Sequence, residues 1–340
     1  MRNSYAPSLY HKQITSNADC TQSSISDQEF NLKKCSYSSG SHSFTNCVWN
    51  NNGRTSNGGA IHYVLTDETK RSSASLAVDD CTFLHCHDTG TVDGGAVYAK
   101  YIGSASVSDS RFYYCECGSA PGQEGAGICL GHLYTNPSIV RCTFISCTTA
   151  DDGGGCGIWY SKSSIIYAVD SCCFVNCIGI GEEKCQGGGI AIIWNEDFMT
   201  CTNCFLFACE AKSEGGGIWV MCPAETSPKP ITFCFFSENE AGEGKDVFLY
   251  GFPTSSQHII HSFTCESVSG RVSGSSDNWL PQGRMSFPFD CSTLSGTLET
   301  KRNDIQSWGS QLGVCVVSVE ELVSYTDSNK YILSGASDVV

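Results

Sequence analysis

The sequence predicts an all-β chain: a right-handed parallel β-helix solenoid of about seven coils, with a small mixed segment toward the C-terminal end. Three observations carry that reading. A Cys-x-Phe-x-x-Cys motif recurs along the chain. A Gly-led motif ending in Ile or Val follows each copy. Apolar residues two apart continue from that branched residue, which is the pattern of a strand with one buried face.

Residues 1–40 come first. They are polar and Ser-rich, and read as an N-terminal cap or an irregular first coil around Phe30 and Cys35. A solenoid needs such a cap because an open end invites edge pairing. The repeats occupy residues 41–250. The first motif occurs as Cys81–Cys86, Cys142–Cys147 and Cys172–Cys177, and as Cys204–Cys209 with Leu in place of Phe. Ser110–Cys115 and His42–Cys47 lack the first Cys, and Cys234–Asn239 ends in Asn. The second motif occurs at Gly58–Ile61, Gly94–Val97, Gly125–Ile128, Gly155–Ile158, Gly187–Ile190, Gly215–Ile218 and Gly244–Val247. Its branched residue recurs at steps of 36, 31, 30, 32, 28 and 29.

Each unit offers three strand-like stretches. One carries the Phe. The second starts at the branched residue, as in Ile128 and Leu130 or Ile218 and Val220. The third precedes the next Cys, as in Leu76 and Val78 or Tyr167 and Val169. Units this short bury a core only by stacking. Seven coils at the ~4.8 Å strand spacing give a rod roughly 34 Å long. The leading Gly marks a sharp turn into the second strand, where positive φ is cheap only for glycine.

Residues 251–285 are Ser- and Gly-rich and read as a linker. Residues 286–340 read as the start of a second β-helix, with Asp290–Leu294 opening a capping helix and strands at Val314–Val317 and Lys330–Gly335.

Composition narrows the function classes. The formal net charge is -15, from 20 Lys plus Arg against 35 Asp plus Glu. That argues against a nucleic-acid partner, whose phosphates need a basic surface. Hydrophobic residues make up 41%, enough for a core. No apolar run approaches the ~20 residues of a membrane helix. The opening MRNSYAPSLYHKQ has no apolar stretch and does not read as a signal peptide. The 23 cysteines nonetheless point toward an oxidising compartment.

The paired motifs resemble the repeats of the polymorphic outer membrane proteins, whose signatures are Gly-Gly-Ala-Ile and Phe-x-x-Asn. Gly58–Ile61 matches the first literally, and Phe236–Asn239 matches the second. In the other six copies Cys stands where that family has Asn, as in Cys-rich protist β-helix proteins. The resemblance covers about residues 41–250. It implies a cell-surface or secreted domain used in adhesion. The bacterial members carry a signal peptide and a C-terminal β-barrel, and neither is visible in this chain.

Three constellations of residues bear on chemistry. The cysteines fall into two columns: Cys81, Cys142, Cys172, Cys204 and Cys234 in one, and Cys47, Cys86, Cys115, Cys147, Cys177 and Cys209 in the other. The favoured reading is a buried ladder of small apolar residues. Disulfides and metal binding are the alternatives; Cys201-x-x-Cys204 lacks a second well-placed pair for zinc. Asp79, Asp80, Asp109 and Asp170 could form an acidic strip of the kind polysaccharide-cleaving β-helices use, but Asp also favours turns. Neither His85 nor His87 has an obvious partner, and Gly242–Lys245 lacks the spacing of a phosphate loop. Finally, the residue after each branched position forms a column: His62, Tyr98, Cys129, Trp159, Ala191, Trp219 and Phe248. By alternation it faces outward, so Tyr98, Trp159, Trp219 and Phe248 are candidate binding residues for sugar rings or a partner protein. The plainer reading is a face covered by the loops between strands.

The expectation is therefore a non-enzymatic surface β-helix that binds glycans or surface proteins, with no catalytic set, metal or cofactor and no nucleic-acid partner. The alternatives are a carbohydrate-active lyase or hydrolase and an inactive scaffold fragment.

Overall fold

The computed structural model describes residue 20 and residues 22–31, 35–50, 53–54, 59–88, 94–118, 124–149, 154–161, 167–181, 185–193, 199–221, 231–250, 260–264, 268–271 and 278–279. The segment from 286 onward, with its expected second β-helix, lies outside the described residues, as does Gly58.

All seven Gly-led strands form, at Ile61–Val64, Val97–Lys100, Ile128–Gly131, Ile158–Ser161, Ile190–Ile193, Ile218–Met221 and Val247–Tyr250. Each pairs in parallel with the next, residue for residue, so that Ile61, Val97, Ile128, Ile158, Ile190, Ile218 and Val247 share one column. Between them they mark about six complete turns of a parallel β-solenoid. The only helical element among the described residues is the 3-10 turn Glu68–Ser73, started by Asp67, whose carboxylate accepts the Thr69 N–H.

A coil has four strands rather than the expected three. In the coil that starts at Ser104 they are Ser104–Ser108, Arg111–Tyr113, Glu116–Cys117 and Ile128–Gly131. The two-residue strand after the second Cys was not foreseen, because two residues carry no readable periodicity. The first two strands of each coil build ladders that merge in the seven-residue strand Ile231–Ser237.

Parallel in-register stacking puts like on like in the core. Phe30, Trp49, Phe83, Phe112, Phe144 and Phe174 form one stack with ring centroids 4.7–4.8 Å apart. That is the spacing of the strands themselves. Leu206 and Phe236 continue the column. The neighbouring column runs Ile25, Phe44, Val78, Val107, Ile139, Val169, Cys201, Ile231 and Ile260.

These registers correct one reading. Trp49 pairs with Phe83, and Phe44 pairs with Val78. The first repeat is therefore Cys47-Val48-Trp49, and Cys47 lies in the column of Cys81. His42–Cys47 copies the motif one strand too early, because Phe44 is also an inward aromatic.

Stacking also extends beyond residues 41–250. Ser24–Ser26, Glu29–Asn31 and Cys35–Tyr37 pair onto the first repeat, and a Cys20–Cys35 disulfide ties this coil. Ile260–Thr264 and Val268–Arg271, in the segment read as a linker, pair onto the last.

Four corners close each coil, and left-handed backbone recurs at three of them; the fourth, after the Gly-led strand, is left-handed at Tyr101 and His132. The Gly corner has φ between 56° and 84° at Gly94, Gly125, Gly155, Gly187, Gly215 and Gly244. At Gly155 an added Cβ would also strike the Ile158 carbonyl. Two further corners place a non-Gly residue at positive φ just before the Cys-column positions, except at Cys234, where the strand Ile231–Ser237 runs through without a turn. One holds Asp27, Asn46, Asp80, Asp109, Arg141, Ser171 and Asn203; the other holds His85, Tyr114, Ser146, Asn176, Ala208 and Glu238. Asp and Asn dominate the first, as expected of residues that tolerate this region.

Candidate functional site

The cysteine columns sit immediately after these corners, where a turning backbone leaves N–H and C=O groups outside the sheet ladders. Those groups need partners when buried. In the second column the thiols of Cys115, Cys147, Cys177 and Cys209 each donate to the carbonyl of the Phe one coil below, at 3.7 Å in every case. Each sulfur also accepts the backbone N–H of the column Cys below it. Burial pushes all four thiols well above the ordinary thiol value, so they remain S–H donors.

Asn239 ends this column and does the same work with stronger groups. Its Oδ1 accepts the Cys209 N–H at 3.0 Å, and its Nδ2 donates to the Leu206 carbonyl at 3.1 Å and to Asp246 Oδ1 at 3.0 Å. Ser110 fills the gap in the first column likewise. Its Oγ accepts the Cys81 N–H at 3.1 Å and donates to the Ser108 carbonyl at 2.7 Å. Cys, Ser and Asn interchange here because each is a compact donor and acceptor in one side chain. The columns are thus more than small apolar filler: they satisfy the corner backbone.

The first column, now Cys47, Cys81, Ser110, Cys142, Cys172, Cys204 and Cys234, contains a local departure. Cys201 enters it from the neighbouring aliphatic column. The sulfurs of Cys201, Cys204 and Cys234 all lie within 4.8 Å of one another, and all three residues are buried. Cys201 Sγ and Cys234 Sγ are 3.7 Å apart. Cys172 contacts Cys204 from the coil below. Burial drives the Cys204 thiol up, but S–H groups of Cys172, Cys201 and Cys234, with the Cys172 backbone N–H, outweigh it and bring Cys204 well below the ordinary value. Cys201, which donates within the cluster, is held high by its neighbours Cys204 and Cys234 and by burial. The expectation that the Cys201-x-x-Cys204 pair lacks further ligands is corrected by stacking, which supplies Cys234. A smaller group was missed altogether: Thr149 Oγ1 lies 3.2 Å from Cys156 Sγ and 3.9 Å from Cys185 Sγ. Seventeen described cysteines are buried, and among the described residues no disulfide links two column residues.

The four aspartates divide into two rows. Asp79 and Asp170 end approach strands, whereas Asp80 and Asp109 occupy the left-handed corner. Each has a structural partner. Asp79 accepts from Ser108 Oγ at 2.5 Å, and Asp170 accepts from Thr202 Oγ1 at 2.6 Å and Asn203 Nδ2 at 3.0 Å. Arg141 grips Asp109 through two bonds of 2.7 and 2.6 Å and holds its carboxyl below the ordinary range. Asp80 faces Arg111 at 3.9 Å. His85 stacks on Tyr114 at 5.0 Å in the other corner, and burial lowers its pKa. Lys245 is paired with Glu240 at 2.7 Å.

The aromatic column points out of the solenoid core, as alternation requires, but it is not exposed. Tyr98, Cys129, Trp159, Ala191, Trp219 and Phe248 form a second buried cluster, with Val64, Ile193, Met221 and Tyr250 at its margin. Trp159 and Trp219 are each 3% exposed and Phe248 is 0%. Trp219 Nε1 donates to Glu214 Oε2 at 2.9 Å, and Glu214 also accepts from Gln186 Nε2. The open platform considered for Tyr98, Trp159, Trp219 and Phe248 gives way to the plainer reading of a covered face, a second core along the outside of one sheet.

No protein-family model matches the chain, and no curated protein or solved structure matches it.

Proposed function

We propose that the chain is a non-enzymatic, cell-surface or secreted β-solenoid that binds glycans or surface proteins through its exposed edges. The observation that carries this reading is the first corner. Asp27, Asn46, Asp80, Asp109, Arg141, Ser171 and Asn203 repeat there at the coil spacing in one fixed left-handed conformation. Asp27, Asn46, Asp80 and Arg141 are exposed. A rigid row of polar side chains at a constant step suits an extended, repetitive partner better than a small molecule. The row replaces the aromatic column as the candidate binding edge. The resemblance to polymorphic outer membrane protein repeats supports the same reading, now with a physical account of why Cys replaces Asn.

The test is labelling of intact cells with a membrane-impermeant tag, read with an antibody to residues 41–250. Labelling without permeabilisation is the expected result. Labelling only after permeabilisation overturns the surface assignment. Release of sugar products from polysaccharides by the purified chain overturns the non-enzymatic part.

A further inference from the structure

We propose that Cys201, Cys204 and Cys234 form a buried three-thiolate site for a soft monovalent cation, Cu(I). The first support is geometric. Sulfurs bound to one ion at ~2.3 Å lie roughly 3.8–4.0 Å apart. Cys201 and Cys234 already stand 3.7 Å apart, and the whole set fits within 4.8 Å. Loading needs only a small contraction of side chains.

The second support is positional. The column holding Cys201 is otherwise apolar and mostly β-branched: Val78, Val107, Ile139 and Val169 below, Ile231 and Ile260 above. Packing alone favours another Val or Ile there. The thiol departs from the column at the one level where it meets Cys204 of its own coil and Cys234 of the next.

Ligand chemistry selects the ion. Among the described residues the group contains thiols only, with no His or carboxylate. Soft thiolate sites select Cu(I), zinc or iron–sulfur clusters. Zinc in a structural site takes four ligands, and among the described residues no fourth His, Cys, Asp or Glu ligand lies within 4.8 Å of all three sulfurs. Cu(I) is satisfied by three sulfurs. Binding of one Cu(I) by all three sulfurs releases three thiol protons to solvent and leaves the complex two units negative. The negative charge left on sulfur is met by backbone N–H groups, from Cys172 to the Cys204 sulfur and from Cys204 to the Cys234 sulfur.

The experiment expresses the full chain in a reducing cytosol with added copper. The purified protein is then dialysed against bathocuproine disulfonate, and retained copper and Cu(I)-thiolate luminescence are measured. Cys201→Val restores the residue type of its column, and Cys234→Ser restores the hydroxyl seen at Ser110, so both should fold. Cys147→Ser, in the other column, is the control. The proposal expects a single luminescent copper ion per chain in the wild type and in Cys147→Ser, and its loss in the other two variants with circular dichroism unchanged. Equal copper in all four proteins overturns it. Zinc retained in place of copper overturns the choice of ion. A Cys201–Cys234 disulfide in the anaerobically purified chain, found by peptide mapping, shows a redox staple instead.

Discussion

Asn239 shows most clearly what the column positions do. Three bonds of 3.0–3.1 Å converge on it, one accepted and two donated. Asn239→Ala removes the acceptor of the buried Cys209 N–H and the donor to the Leu206 carbonyl and the buried Asp246 carboxylate, and an orphaned buried polar group costs about 1–3 kcal/mol. Asn239→Cys keeps a weak donor and acceptor in place. The expected order of urea midpoints is therefore wild type, then Asn239→Cys, then Asn239→Ala. Equal midpoints for the two variants would show that the thiols are only filler. The same scale explains the positive-φ residues. Asp and Asn bear the left-handed strain of the first corner, and their side chains then bind the next coil, as Asn46 Nδ2 does with Asp27 Oδ1 at 2.6 Å.

At the level of strands and corners, the Phe and Gly-led strands were legible because their residues repeat at a constant offset from a Cys or a Gly. Registers between coils were less so. Phe44 and Trp49 are both inward aromatics near Cys47, and only pairing with Val78 and Phe83 decides which belongs to the motif. The Cys201, Cys204 and Cys234 group was hidden for the same reason: it combines two coils and two columns. The aromatic column was legible in direction from alternation, whereas its cover, the plainer of two readings, is a long-range property that alternation does not encode. Trp159→Ala with Trp219→Ala accordingly removes core. Each substitution should cost about 3–5 kcal/mol, as large-to-small changes at buried aromatics do. A double variant of unchanged thermal stability would restore the exposed-platform reading. On the corner ridge, Arg141 keeps the Asp109 carboxyl below its ordinary value through their paired bonds. A depressed folded-state pKa contributes stability above the unfolded carboxylate's ~3.9 and loses it as pH falls through the folded value. Arg141→Ala should move the Asp109 titration up to the ordinary range, read by carbon NMR of the carboxyl, with little change in stability near neutral pH because the pair is half-exposed. An unmoved titration would place the cause elsewhere.

Over the whole molecule, the account describes a rod whose stability lies in nearest-neighbour stacking and whose buried edges are satisfied by reduced thiols. A second apolar cluster runs beside the main core, and the polar corner ridge is left as the edge available to partners. Among the described residues no helix is long and apolar enough to cross a membrane. The central claim is that the columns are ladders of reduced, buried, hydrogen-bonded thiols. The most direct measurement is alkylation of the native chain with iodoacetamide, followed by peptide mapping before and after urea. The account predicts that Cys81, Cys115, Cys142, Cys147, Cys177 and Cys209 stay unmodified in the native protein and all react once it is unfolded. Rapid native alkylation of these residues, or their recovery as disulfides between columns, would contradict it.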